Sequence, residues 1–335
     1  MKRLLSFNLL LLLFLLPAGP SLGWGFYAHQ RINRLAVFAL PPEMFGFYKR
    51  HIRFLTEHAV NPDRRRYAVK GEAPRHFIDI DRYGDSAIFK LPRFWREAVS
   101  QYSEDSLQAY GIVPWHINAM KHQLTEAFRS RNPERILRLS ADLGHYVADA
   151  CVPLHTTQNY NGQLTGQRGI HGLWESRLPE LLAEQYDFFV GPARYLRQPQ
   201  LTAWQAVTRA HLAVDSVLRF ERELTARFPS DKKYTFEERG ATTMRVYSQA
   251  FSREYHQLLG GQVERQMRLS ILLTASYWYT CWVDAGQPDL EVMAGAISGG
   301  ETEKQRMEQE EYQHGEHPDR SADPPDSAPR EERQE

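Results

Sequence analysis

His145 and Asp149 stand four residues apart, and His171 and Glu175 repeat that spacing. On a helix, residues i and i+4 share a face, with Cβ atoms roughly 5–6 Å apart. Each pair therefore aims an imidazole nitrogen and a carboxylate oxygen at one point. His155 falls between the pairs, just past Pro153. Three imidazoles and two carboxylates brought together from two helices form a donor set suited to Zn2+. Any one of these residues alone reads as a structural side chain. Two such pairs flanking a third histidine do not.

More candidates lie upstream. Trp24-Gly25 precedes His29 by a short interval, Asp63 sits in Asn-Pro-Asp, and His76 opens His-Phe-Ile-Asp79. Alone, Asp63 is an ordinary turn residue, and His76 is a weak candidate. His116 reads as structural or surface, and His51, His58 and His122 read as solvated. Cys151, two residues after Asp149, points off the ligand face. Cys151 and Cys281 form either one disulfide, if the chain is exported, or two buried free thiols. Tyr277-Trp278-Tyr279 and Trp282 read as core rather than as a base-stacking surface. The chain holds no G-x-S-x-G and no phosphate-cradling P-loop, so neither of those chemistries is indicated.

These residues need elements to position them, and the pattern is mostly helical. Apolar spacing predicts helices at 29–40, 42–58, 94–103, 113–130, 171–186, 201–227, 236–257 and 261–284. Asn132-Pro133-Glu134 starts another, with an N-cap, Pro in the first turn and an acid facing the helix dipole. That helix runs to about Cys151 and stops before Pro153. Residues 60–92 and 156–170 read as irregular, and a long loop in a compact domain usually has a functional reason. No segment shows convincing strand alternation, and no repeat is visible. The expectation is an all-α, single-domain, multi-helix fold over residues 24–300.

The ends have different compositions. Lys2 and Arg3, the apolar stretch Leu4 to Leu16 and the small residues up to Gly23 read as a signal peptide spanning 1–23. The alternative is a retained membrane anchor. No other stretch has the apolar length of a membrane span. Export would place the protein in the periplasm or outside the cell. Residues 301–335 carry 12 acidic residues against 5 basic ones and almost no large apolar ones, which predicts a disordered acidic tail. The body at 24–300 is mildly basic, compatible with anionic substrates. Hydrophobic content of 42% excludes a disordered chain overall.

Taken together, the motifs resemble the zinc-dependent phospholipase C and S1/P1 nuclease superfamily. The matching pieces are Trp24-Gly-x-x-x-His29, Asp63, His76-Phe-Ile-Asp79, His145-x-x-x-Asp149, Pro153-Leu-His155 and His171-x-x-x-Glu175, in family order over about half of the body. The resemblance implies a secreted phosphoesterase with three zinc ions. One ion would be held by Asp63, His76, His145 and Asp149. A second would use His155, His171 and Glu175. The third would take the amine and carbonyl of Trp24, His29 and the second oxygen of Asp149. That third site needs a free amine at Trp24, so it exists only after cleavage between Gly23 and Trp24. Paired ions would activate a water as hydroxide and stabilise the leaving oxygen. Asp63 would orient that water, which makes Asp63 and Asp149 the catalytic residues. Asp79 supports the zinc loop or contacts substrate.

Within the superfamily the motifs divide. Trp24-Gly-x-x-x-His29 is similar to the nucleases, and the start lacks the Glu found near the mature N-terminus of choline-preferring phospholipases. Glu175 is similar to the phospholipases, because the nucleases usually carry Asp there. The expectation is a nuclease or nucleotidase acting on single-stranded nucleic acid or 3′-nucleotides. A phospholipase C is the alternative. A catalytically degenerate zinc-binding protein is disfavoured because no ligand of the set is missing. No feature points to a stable protein partner.

Overall fold

The computed structural model describes residues 25–239 and 242–294. The expected leader at 1–23, Trp24, and the expected tail at 301–335 lie outside the described residues. Within them the chain is mostly helical, as its periodicity predicts.

The Pro133–Asp149 helix is the centre of the core. It packs against Gly25–Ala36, Val113–Arg129 and Gln262–Asp284. Its start is the one the sequence predicts. The Asn132 side-chain oxygen accepts the Arg135 backbone N–H at 3.0 Å, and Pro133 occupies the first turn. From Leu139 to Asp149 every residue is buried. Buried carbonyls in the middle of this helix take added side-chain donors from neighbouring elements. Trp278 Nε1 donates to the Ser140 carbonyl at 2.9 Å, and Asn33 Nδ2 donates to the Ala141 carbonyl at 3.0 Å. The Tyr48 and Ser140 hydroxyls share a hydrogen bond of 2.8 Å. Tyr277, Trp278 and Trp282 are buried, so the aromatic run is core.

The segment 60–92 is a string of short turns, at Asn61–Arg65, Ala73–His76, Ile80–Tyr83 and Ala87–Lys90. Backbone bonds to distant chain fix it. Ile78 N–H donates to the His155 carbonyl at 2.9 Å, and Asp79 N–H to the Tyr110 carbonyl at 2.7 Å. Gly111 permits the approach: its φ is +89°, and a Cβ there would lie 2.2 Å from the Phe77 carbonyl oxygen.

Four expectations need correction. The predicted 42–58 helix is two, Pro42–Arg50 and Ile52–Glu57, parted at His51. Residues 171–186 do not form one α-helix. A wide π-type turn spans Gly172–Arg177 before α-helix resumes at Leu178–Leu182, the kind of widening often found at functional sites. The predicted 201–227 helix is two, Pro199–His211 and Val214–Arg227. The predicted 236–257 helix begins instead as an antiparallel hairpin, Tyr234–Arg239 paired with Thr242–Tyr247, so the fold is not purely helical. Thr, Val and aromatic residues favour strands here. Long-range anchoring adds to this preference. Arg177 donates to the Tyr247 carbonyl at 3.0 Å and to Glu237 at 2.7 Å. A helix follows only at Gln249–Leu258, capped by Ser248. Cys151 and Cys281 are both buried free thiols.

Gly144 lies beside His145, and a Cβ there would meet Asn33 Oδ1 at 2.0 Å and Thr274 Cγ2 at 3.0 Å. Gly to Ala inside a helix ordinarily stabilises by up to about 1 kcal/mol. Here Gly144→Ala is expected to destabilise by about 1–3 kcal/mol through overpacking. Denaturant unfolding checks this, and a gain in stability contradicts the close packing.

Candidate metal centre

His145 and Asp149 leave the last turns of the Pro133–Asp149 helix on one face. His29 enters from the Gly25–Ala36 helix. Asp63 and His76 come from the short turns of the 60–92 segment, and His155 from the turn Pro153–Thr156 that follows the Pro153 break. His171 and Glu175 come from the widened turn. These eight side chains converge as three groups: His29, His145 and Asp149; Asp63, His76 and His145; and His155, His171 and Glu175. Trp24, the ninth expected ligand, lies outside the described residues. Asp79 belongs to none of the three groups. It is half-buried at the head of the Ile80–Tyr83 turn, tied by its backbone to Tyr110.

Spacing within the second group, together with Asp149, bears on what it can hold. His76 Nδ1 is 2.9 Å from Asp149 Oδ2 and 3.6 Å from Asp63 Oδ1. His145 Nε2 is 3.2 Å from Asp149 Oδ2, 3.6 Å from Asp63 Oδ1 and 3.0 Å from His76 Nδ1. A tetrahedral zinc with ligands at roughly 2.0–2.1 Å holds its donors about 3.3 Å apart. The five separations bracket that value. The other oxygen of Asp149 faces elsewhere: Oδ1 is 3.3 Å from His29 Nε2 and 3.4 Å from His155 Nδ1. One carboxylate thus touches histidines of all three groups. His155 Nε2 lies 3.3 Å from Glu175 Oε2, and His171 Nε2 contacts the same oxygen.

Orphaned polar atoms support a cation here. Asp149 Oδ1, His29 Nδ1 and His155 Nδ1 are buried with no hydrogen-bond partner among the described residues. An unsatisfied buried carboxylate oxygen is costly, and a metal ion removes the cost. The imidazoles are oriented for this role. His145 Nδ1 meets the Ala59 carbonyl at 2.9 Å and His171 Nδ1 meets the Tyr160 carbonyl at 3.1 Å, which leaves each Nε2 lone pair facing the cluster. The residues present fit a metal bound through nitrogen and oxygen.

Electrostatics agree. Burial opposes charge on His145, but Asp149 and Asp63 outweigh it and push the imidazole up to about 9. Burial would raise Asp149, but His145, His155 and His29 hold it well below the usual carboxylate range. Glu175 is held low by His171 and His155 against the same burial effect.

An outer layer escaped the sequence reading. Glu72 is fully buried and accepts from Arg75 Nη1 at 2.7 Å and from the Tyr146 hydroxyl. Arg65 Nε lies 3.2 Å from Glu72 and its two terminal nitrogens clasp Asp142 at 3.3 and 2.9 Å. The available signal was Glu72-x-x-x-His76, a third i, i+4 pair. His116 packs edge-on against Tyr146 at 4.5 Å, and burial with nearby Arg75 pushes it down to about 3. His51 and His58 are half-buried rather than solvated, while His122 is exposed. No protein-family model matches the chain, and no curated protein sequence matches it.

Two outcomes follow from this geometry. Asp149→Asn should release the ions on both sides of the carboxylate together, and loss of a single ion by metal analysis refutes bridging. The pH dependence has opposite signs with and without metal. His145 gains a proton in the fold, so chelator-treated protein should keep that stabilisation below about pH 6.5 and lose it as pH rises through about 9. Metal affinity should rise over the same window, because the ion displaces that proton. Thermal unfolding and metal titration between these pH values check both.

Proposed function

We propose that the chain is a zinc-dependent phosphoesterase of the S1/P1 nuclease and phospholipase C type, with nucleic acid or 3′-nucleotides as the first reading of its substrate. The carrying observation is the Asp149 carboxylate: its two oxygens face histidines of three metal-suited groups, with separations near those of a tetrahedral ion. In this reading Asp63, His76, His145 and Asp149 hold one zinc, and His155, His171 and Glu175 hold a second. His29 and Asp149 hold a third together with the freed amine of Trp24. The protein would be exported and cut between Gly23 and Trp24.

Bound zinc supplies Lewis-acid charge for the phosphoryl oxygens and a water acidic enough to attack near neutral pH. The chain's own residues do the rest. Asp63 is the more solvent-accessible carboxylate, 23% exposed against 1% for Asp149, so Asp63 orients and takes a proton from the attacking water. Asp149 stays buried and charged and fixes the imidazoles around it. Arg66 brings a positive charge toward His155, and its Nε is buried with no hydrogen-bond partner among the described residues. In this reading that positive charge attracts an anionic phosphoryl group toward the cluster.

Glu175, in place of the Asp more usual in nucleases, favours a second reading, phospholipase C. Purified protein should contain three zinc ions, begin at Trp24, and degrade single-stranded nucleic acid or 3′-nucleotides in preference to lecithin. Cleavage of lecithin alone reverses the order of the two readings. One zinc or none sinks the cluster.

A further inference from the structure

The described residues contain a second buried charged constellation directly behind the metal-suited cluster. It consists of Glu72, Arg65, Asp142 and Tyr146, with Arg75 at its edge. The proposed mechanism does not use it. Its members are chain neighbours of the candidate ligands. Arg65 follows Asp63 by two residues, Glu72 precedes His76 by four, Asp142 precedes His145 by three, and Tyr146 follows His145 directly.

Glu72 is 0% exposed, so its charge has a steep desolvation cost. Two arginines and a phenol offset it. Oε2 faces Arg75 at 2.7 Å and Arg65 at 3.2 Å, and Oε1 takes the Tyr146 hydroxyl. Two guanidinium groups and a hydroxyl donor set around one carboxyl favour its ionised form. Oε1 also lies 3.7 Å from His76 Nε2, a buried nitrogen with no hydrogen-bond partner among the described residues. The other nitrogen of that ring, Nδ1, faces Asp149, His145 and Asp63.

We infer that Glu72 is a positioning residue for His76: it keeps the proton on Nε2 and so leaves the Nδ1 lone pair for a metal ion. The alternative tautomer turns an Nε2 lone pair toward a carboxylate oxygen and an Nδ1 proton toward the ion, and both contacts are repulsive. At 3.7 Å the Nε2–Oε1 contact is longer than a hydrogen bond, so the pull on the proton is electrostatic and tightens with a small ring rotation. Arg65 makes the arrangement rigid. It clasps Asp142 on the central helix with two nitrogens and meets Glu72 with the third, so the loop carrying His76 and the helix carrying His145 are held in one register. Carboxylates that fix a ligating imidazole from behind commonly contribute 10–100-fold to metal affinity.

The inference rests on the metal-binding reading above, and the test separates the two. Zinc is titrated into chelator-stripped wild-type protein and into Glu72→Gln, which keeps the shape and removes the charge. A wild type that takes up no zinc defeats the metal reading itself. With wild-type uptake established, Glu72→Gln should bind one ion about 10–100-fold more weakly, the remaining ions keeping wild-type affinity. Nitrogen NMR of the histidine rings should show His76 losing its fixed Nε2–H form in the variant. Unchanged affinity for every ion, or uniform weakening of all of them, overturns the positioning role. If Glu72→Gln does not fold, Tyr146→Phe removes only the hydroxyl donor to Glu72. A smaller drop confined to the same ion is then expected, and no drop overturns the inference.

Discussion

Asp149 is a carboxylate 1% exposed at the end of a helix that is itself surrounded by protein. Placing such a charge there is expensive unless positive charge or protons converge on it. Four imidazoles from four different elements do so, at 2.9 to 3.4 Å. Much of the molecule can be understood as the scaffold that brings them. Gly144 lets the helix of His29 approach, Gly111 lets the segment of His76 approach, and Pro153 turns the chain so that His155 returns over the carboxylate.

Without metal, protons do the work of cations. The raised imidazole of His145 and the depressed carboxyl of Asp149 are two descriptions of one ion pair. A divalent ion provides more charge in less space and satisfies lone pairs that protons leave unmatched, notably Asp149 Oδ1. Proton and metal therefore compete for the same donors, which couples acidity, metal content and stability in this fold. Behind them, the Arg65–Asp142–Glu72 chain repeats the arrangement with fixed charges, since arginine stays protonated where histidine need not.

Local chemistry was legible wherever it was local. The i, i+4 pair 145/149, the Asn132 cap and the break at Pro153 each depend on neighbours in sequence, and each is found where the pattern puts it; His171 and Glu175 also meet, but in a π-type turn rather than the α-helix expected. The hairpin at 234–247 was not legible. Its polar, arginine-containing strands carry a weak pattern, and the anchor at Arg177 lies about sixty residues away. Glu72 was missed for a related reason. An i, i+4 Glu–His pair in a segment without helical periodicity gave no ground for expecting the two to face each other.

By itself the sequence determined the residue types and the i, i+4 spacings, and hence a nitrogen-and-oxygen donor set of the kind that can hold a metal ion, because both are properties of short segments. Only the tertiary structure decided that Asp149 divides its two oxygens among three groups, that His145 serves two of them, and that a buried glutamate stands behind His76. Those facts depend on distances between segments tens of residues apart. Such distances are set by close packing of the whole core, which no local pattern encodes.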